Sequence, residues 1–139
     1  MINKPKNGWS SWQIEEFNFP ISYVDDFPFV FLNKILDFFN KEEPQEYEFD
    51  AEGFYYTIYL GFPVYGKIDN DKDEFIQISD NMIEFTQNLL YDLERDIKEW
   101  SEFPSYCETE RDALFIEKEI EAKIKEVRGA MKKWMEKMV

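Results

Sequence analysis

The chain contains no histidine, and this absence removes more chemistry than any motif present adds. Ser-His-Asp and Cys-His catalysis, histidine metal ligation and histidine acid–base work are all excluded. Cysteine is nearly absent as well. Cys107 stands alone, so no disulfide can close within the chain and no cysteine-based zinc site can assemble. Long apolar runs are missing: none approaches the roughly 20 residues that span a bilayer. The opening MINKPKNGWSSW lacks the apolar segment of a signal peptide, and the expected location is the cytoplasm. Positive charge is scarce too, with 16 Lys plus Arg against 30 Asp plus Glu and a formal net charge of -14. A field of that sign repels nucleic acid and attracts basic partners, so direct binding to a phosphate backbone is disfavoured.

What the chain has in quantity is aromatic side chains. They make up 19% of its 139 residues, 14 of them phenylalanine, enough to fill the interior of one domain without staples. The stretch Glu46 to Ile68 organises them. Phe54, Tyr56, Ile58 and Leu60 alternate with Tyr55, Thr57 and Tyr59, the period of two of a strand with one buried and one exposed side. Before it, Tyr47 and Phe49 alternate with Glu46, Glu48 and Asp50, and Ala51-Glu52-Gly53 suits a hairpin connection. After Gly61-Phe62-Pro63, Val64 to Ile68 returns as a third strand, and Phe75 to Ile78 supplies a fourth beyond a polar turn.

Around this meander the periodicity changes. Residues 1–8 read as a loose arm. Trp12 and Ile14 fall on one parity and Phe17 and Phe19 on the other, which predicts either a bulge near Glu15-Glu16 or two short extended pieces. Asp25-Asp26-Phe27-Pro28 has the acids and proline of a helix start, and the helix through Asn40 carries a wide apolar arc. Ser79 or Asp80 is the expected cap of a second helix, whose Met82, Ile83, Leu89, Leu90, Leu93, Ile97 and Trp100 keep helical spacing with the acids mostly opposite. From Thr109 a last helix of about 28 residues, roughly 42 Å long, is long enough for its far end to overhang the body. Its Ala113, Ile116, Ile120, Ile124, Val127, Met131, Trp134 and Met138 approach a heptad seam. That seam offers either a homodimer contact through 109–138 or a stripe facing the core. The fold class is thus α+β: one domain with an antiparallel sheet of four to five meandering strands, one N-terminal helix and two C-terminal ones.

Two motifs invite chemical readings. Asp69, Asp71 and Asp73 have the opening spacing of a calcium loop, but Glu74 stands where the turning glycine belongs, so a solvated hairpin turn fits better. The pairs Glu15-Glu16, Asp25-Asp26 and Glu42-Glu43 come with no nucleophile or cofactor motif, and none reads as a catalytic dyad. No cofactor is expected. Residues 1–110 carry 24 acidic and 8 basic side chains, a balance of -16, whereas 111–139 carry 6 and 8, a balance of +2. The acidic field belongs to the sheet and first two helices. It serves either as a solubilising surface or as a lure for a basic protein. In the second case Trp12, Tyr55, Tyr59 and Tyr65 are the large contact residues, set among Glu46, Glu48, Asp50, Asp69, Asp71 and Asp73.

Taken together, GWSSWQIEEFNFPISYVDDFP, the aromatic helix, the FDAEGFYYTIYL meander and the long charged terminal helices give a layout that resembles the small acidic immunity proteins of bacterial polymorphic and contact-dependent toxin systems. The resemblance implies a cytoplasmic antidote that binds one secreted toxin domain, often a basic nuclease, and blocks its active site or partner surface. The expected function is therefore stoichiometric neutralisation of a basic toxin, without enzymatic activity. Competing expectations are a phage-type acidic mimic of nucleic acid that inhibits a DNA-binding enzyme, and a structural or regulatory dimer.

Overall fold

The protein is described by a computed structural model that covers residues 1–14, 17–69, 72 and 74–138. Two short strands, β1 (Trp9–Ser11) and β2 (Pro20–Ser22), pair antiparallel ahead of helix α1 (Phe29–Lys41). The meander follows as β3 (Gln45–Asp50), β4 (Tyr55–Leu60), β5 (Val64–Ile68) and β6 (Glu74–Ser79), in sheet order β3-β4-β5-β6. Helices α2 (Met82–Arg95), α3 (Ile97–Glu102) and α4 (Glu110–Lys137) complete an α+β layout. The period-two reading of the meander holds for all four strands, with two corrections in β4: Phe54, expected on the buried side, lies ahead of the strand and is exposed, and Thr57, expected on the open side, is buried between its neighbours. The N-terminal segment runs as two short extended pieces, with Ile14 bridging Phe17; the bulge expected near Glu15-Glu16 falls outside the described residues.

The meander separates its side chains as alternation requires. Phe49, Tyr56, Ile58, Leu60 and Val64 are buried on the inner face, with Phe49 and Tyr56 stacked at 4.9 Å. The N-terminal hairpin lies over this face. The Tyr56 hydroxyl donates to the Pro20 carbonyl at 2.6 Å, and Phe17 rests directly on Gly66, where a Cβ would stand 2.9 Å from Phe17 Cζ. Glycine at that position lets a phenyl ring approach the sheet backbone. Gly53, in the β3–β4 turn at φ +105°, takes a conformation that side-chain-bearing residues rarely adopt.

Trp12 sits at the centre of the core. It is fully buried and ringed by Phe17, Phe27, Phe31, Phe49 and Phe85 at centroid distances of 5.5 to 6.5 Å. Edge-to-face pairs dominate this cage, the geometry that ring quadrupoles favour. The rings come from the N-terminal hairpin, the α1 entry, α1, β3 and α2, so one indole ties five parts of the chain together. Helix α1 meets the core through Phe31, Leu32, Ile35, Phe38 and Phe39, the wide apolar arc its sequence displays.

Several local readings need correcting. The first residues are not a loose arm: Ile2 and Pro5 are buried, and the Ile2 amide donates to Asp92 Oδ2 at 3.0 Å. Asp25 does not cap α1. Its carboxylate accepts instead from the Asp50 amide at 2.8 Å and the Tyr47 hydroxyl at 3.2 Å, fastening the helix approach to β3. The cap of α2 is neither Ser79 nor Asp80 but Asn81, whose Oδ1 accepts from the Ile83 and Glu84 amides. That helix also breaks at Asp96, and Ile97 and Trp100 belong to the short α3. Asp92 and Asp96 are buried rather than solvated, and Arg95 bridges them at 3.2 and 2.8 Å.

Helix α4 opens on a reciprocal capping box between Thr109 and Asp112. Ile116, Ile120, Ile124, Val127 and Met131 are buried where α4 packs on α1 and α3. Of the two readings of the seam, the core-facing stripe is the one realised, and it leaves no heptad face open for a second copy over these residues. The far end does not overhang. Trp134 stacks on Phe62 at 5.6 Å and meets the Phe39 ring at 5.8 Å, while Lys137 Nζ lies 3.1 Å from Glu42.

Candidate protein-binding face

The outer face of the meander is built by the same registry that buries the inner one. Cross-strand partners place Glu46, Tyr59, Tyr65 and Gln77 in one row, and Glu48, Thr57, Lys67 and Phe75 in the next. Asp50 pairs with Tyr55 in a third, and the Asp69 amide donates to the Tyr55 carbonyl at 3.2 Å. Acidic residues therefore line the β3 edge and aromatic ones the middle. Glu46, Glu48, Asp69 and Phe75 are exposed, Tyr59, Tyr65 and Asp50 are half-buried, and Tyr55 keeps 44% of its surface in solvent.

Three of these rings, Tyr59, Tyr65 and Phe75, are held by neighbours. Tyr59 and Tyr65 stack at 4.8 Å with planes 15° apart, and Tyr65 leans on Phe75 at 5.7 Å. Lys67 Nζ lies over the Phe75 ring, 5.8 Å from its centroid. Such cross-strand pairs order the rings before any partner arrives, which reduces the side-chain entropy lost on binding.

The carboxylates crowd one another. Glu48 is held above the ordinary carboxylate range, first by a hydrogen bond shared with Asp69, then by desolvation and by the charges of Asp69, Asp50 and Asp25. Asp69 also accepts from the Thr57 hydroxyl at 3.4 Å. An arriving cation relieves the repulsion between these carboxylates. Burial also raises the Tyr59 phenol, with the Glu46 carboxylate adding to it.

Of the ten contact residues expected from sequence, Glu46, Glu48, Asp50, Tyr55, Tyr59, Tyr65 and Asp69 come together on this face. Trp12 does not. Its indole is the core of the fold and can meet no partner. Asp71 and Asp73 lie outside the described residues. Phe75 and Lys67, absent from the expected set, complete the face. The signal for Phe75 was present: it falls on the opposite parity from Ile76 and Ile78 in one strand.

Other groups offer less chemistry. Asp25 and Asp26 diverge, the first to Asp50 and Tyr47 and the second to the Tyr106 hydroxyl at 3.4 Å. No cluster of three or more Cys, Asp or Glu among the described residues is placed to hold a metal ion. A groove between α2–α3 and α4, lined by Glu94, Ile97, Ile124, Lys125 and Arg128, is occupied along its rim by the Arg128–Glu94 ion pair. No described helix is long and apolar enough to cross a membrane. No protein-family model, curated protein or solved structure matches the chain.

Proposed function

We propose that this chain is an immunity-type antidote that neutralises a basic toxin domain by stoichiometric binding, working as an inhibitor rather than an enzyme. One observation carries the reading: a sheet face bearing ordered tyrosines among carboxylates is left bare by the chain's own helices. Stability does not call for exposed rings at Tyr55 and Phe75, whereas protein recognition uses such residues as anchors. The surplus of 14 negative charges steers a cationic partner toward the face and raises its association rate. Against a nuclease, the carboxylates of β3 would stand where substrate phosphates otherwise sit.

The test mixes the chain at equimolar ratio with the secreted toxin domain encoded beside it and follows toxin activity. Activity that falls linearly and vanishes near one-to-one supports an antidote. A toxin that stays active, or a gene with no toxin beside it, overturns the reading.

A further inference from the structure

The rings of the outer face form a ladder with two unlike ends. Tyr59 stacks on Tyr65, Tyr65 leans on Phe75, and Lys67 lies over Phe75. The chain thus supplies its own cation at the β6 end. At the β3 end the order is reversed, because the neighbour of Tyr59 across the strands is the exposed Glu46. One face of the Tyr59 ring is taken by Tyr65, and among the described residues no other ring lies against Tyr59. An aromatic face beside a carboxylate attracts a cation through both the ring quadrupole and the charge.

We propose that Tyr59, backed by Tyr65 and bordered by Glu46, is the seat for an arginine side chain projecting from a basic protein partner. The inference rests on the reading that this face meets such a partner, and it specifies the chemistry of contact. A guanidinium fits better than an ammonium. It is planar, so it lies flat on the phenol ring, and its edge keeps donors in the plane to reach Glu46 in a forked pair. Lysine offers a compact, strongly hydrated charge that can do one of these things at a time. Glu48 sits one row away and Asp69 two, and they add field without competing for the ring. The -14 balance of the chain makes a cationic side chain the complementary occupant.

The experiment uses two blocked peptides of equal length, one alternating arginine with glycine and one lysine with glycine, at about 0.15 M salt, where long-range attraction is screened. Nuclear magnetic resonance follows the Tyr59 and Tyr65 ring protons and the Glu46 amide of the whole chain. The arginine peptide is expected to move these resonances first and to bind about threefold tighter than the lysine peptide. Tyr59→Val keeps the charge at -14 and should erase the preference. Glu46→Gln, on an exposed side chain that leaves the stack in place, should weaken arginine binding several-fold and serves if the valine variant folds poorly. Equal affinity for the two peptides, or shifts spread evenly over the acidic surface, overturns the seat. If the arginine peptide settles on Tyr59 while the adjacent toxin stays active, the seat stands and the antidote reading falls. If the toxin is neutralised equally well by Tyr59→Val, the antidote reading stands and the seat falls.

Discussion

Replacing Gly66 by alanine places a Cβ 2.9 Å from Phe17 Cζ and 3.2 Å from Phe17 Cδ2, with a third ring carbon closer still. Two effects of opposite sign compete there. Alanine loses less backbone entropy than glycine on entering a strand, which favours the variant by about 0.5–1 kcal/mol. The clash works against it, because Phe17 is fully buried, with Tyr56 5.9 Å and Trp12 6.5 Å away, ring centroid to ring centroid, and has no free space to retreat into. Overpacking a well-packed core typically costs about 1–3 kcal/mol; with three ring carbons this close the clash falls in the upper half of that range, so the net loss should be about 1–2.5 kcal/mol. Gly129 is the control. A Cβ there meets nothing within 4 Å, and in a helix interior Gly129→Ala should gain about 0.5–1 kcal/mol. Urea unfolding followed by tryptophan fluorescence reads both, since Trp12 reports on the Phe17 contact. If Gly66→Ala is as stable as the parent, the N-terminal hairpin does not seal the inner face, and the division of the sheet into a covered and a free side is wrong.

Three further outcomes follow from local geometry. Asp25 keeps its proton up to about pH 6, chiefly because it is buried, against an ordinary value of 3.8. The native state therefore binds the proton more tightly, and stability should fall as pH rises from 4 to 6. Asp25→Asn should flatten that slope and be more stable than the parent at pH 8 by up to about 3 kcal/mol, and a variant destabilised equally at both ends of the range refutes this. Asn81→Ala should cost about 1 kcal/mol in chemical denaturation, and Ser79→Ala clearly less, because only Asn81 receives the helix amides. Trp134→Ala should cost about 2 kcal/mol, below the range for a fully buried tryptophan, and should speed amide exchange in the last turns of α4. Unchanged exchange there would mean that the stack on Phe62 does not hold the helix end.

The elements that were legible in the sequence are those with an unbroken period. Alternation from Gln45 to Leu60 fixes which side chains share a face, and with it the gathering of Glu46, Glu48 and Tyr59; Tyr65 joins them from the alternation of Val64–Ile68. Trp12 was misplaced because parity within its own short segment says nothing about which face a separate hairpin presents; the five phenylalanines around it are up to 73 residues away in sequence, as with Phe85. The break at Asp96 is silent because Ile97 and Trp100 stay in phase with Leu93, and no proline or glycine marks it. Asp92 looked solvated for want of its partners. The Ile2 amide lies 90 residues away, and Arg95 reaches it only once the helix turns. Ser79, Asp80 and Asn81 are all good caps by type, so composition alone could not choose among them. The ladder end at Lys67 and Phe75 depends on the β5–β6 register, which shifts between Val64 and Tyr65 and cannot be read from either strand alone.

The central claim is that the bare tyrosine–carboxylate face meets a cationic protein, and a matched pair of charge changes tests it most directly. Glu46→Lys with Glu48→Lys alters the face, while Glu119→Lys with Glu121→Lys makes the same change of net charge on exposed positions of α4. Residual activity of the toxin domain proposed as the chain's partner is then titrated against each protein. The account predicts that the sheet variant loses neutralisation by at least about a hundredfold in affinity, as expected when close complementary pairs turn repulsive, while the helix variant stays within a few-fold of the parent. Equal loss in both variants, or greater loss in the helix variant, would contradict it.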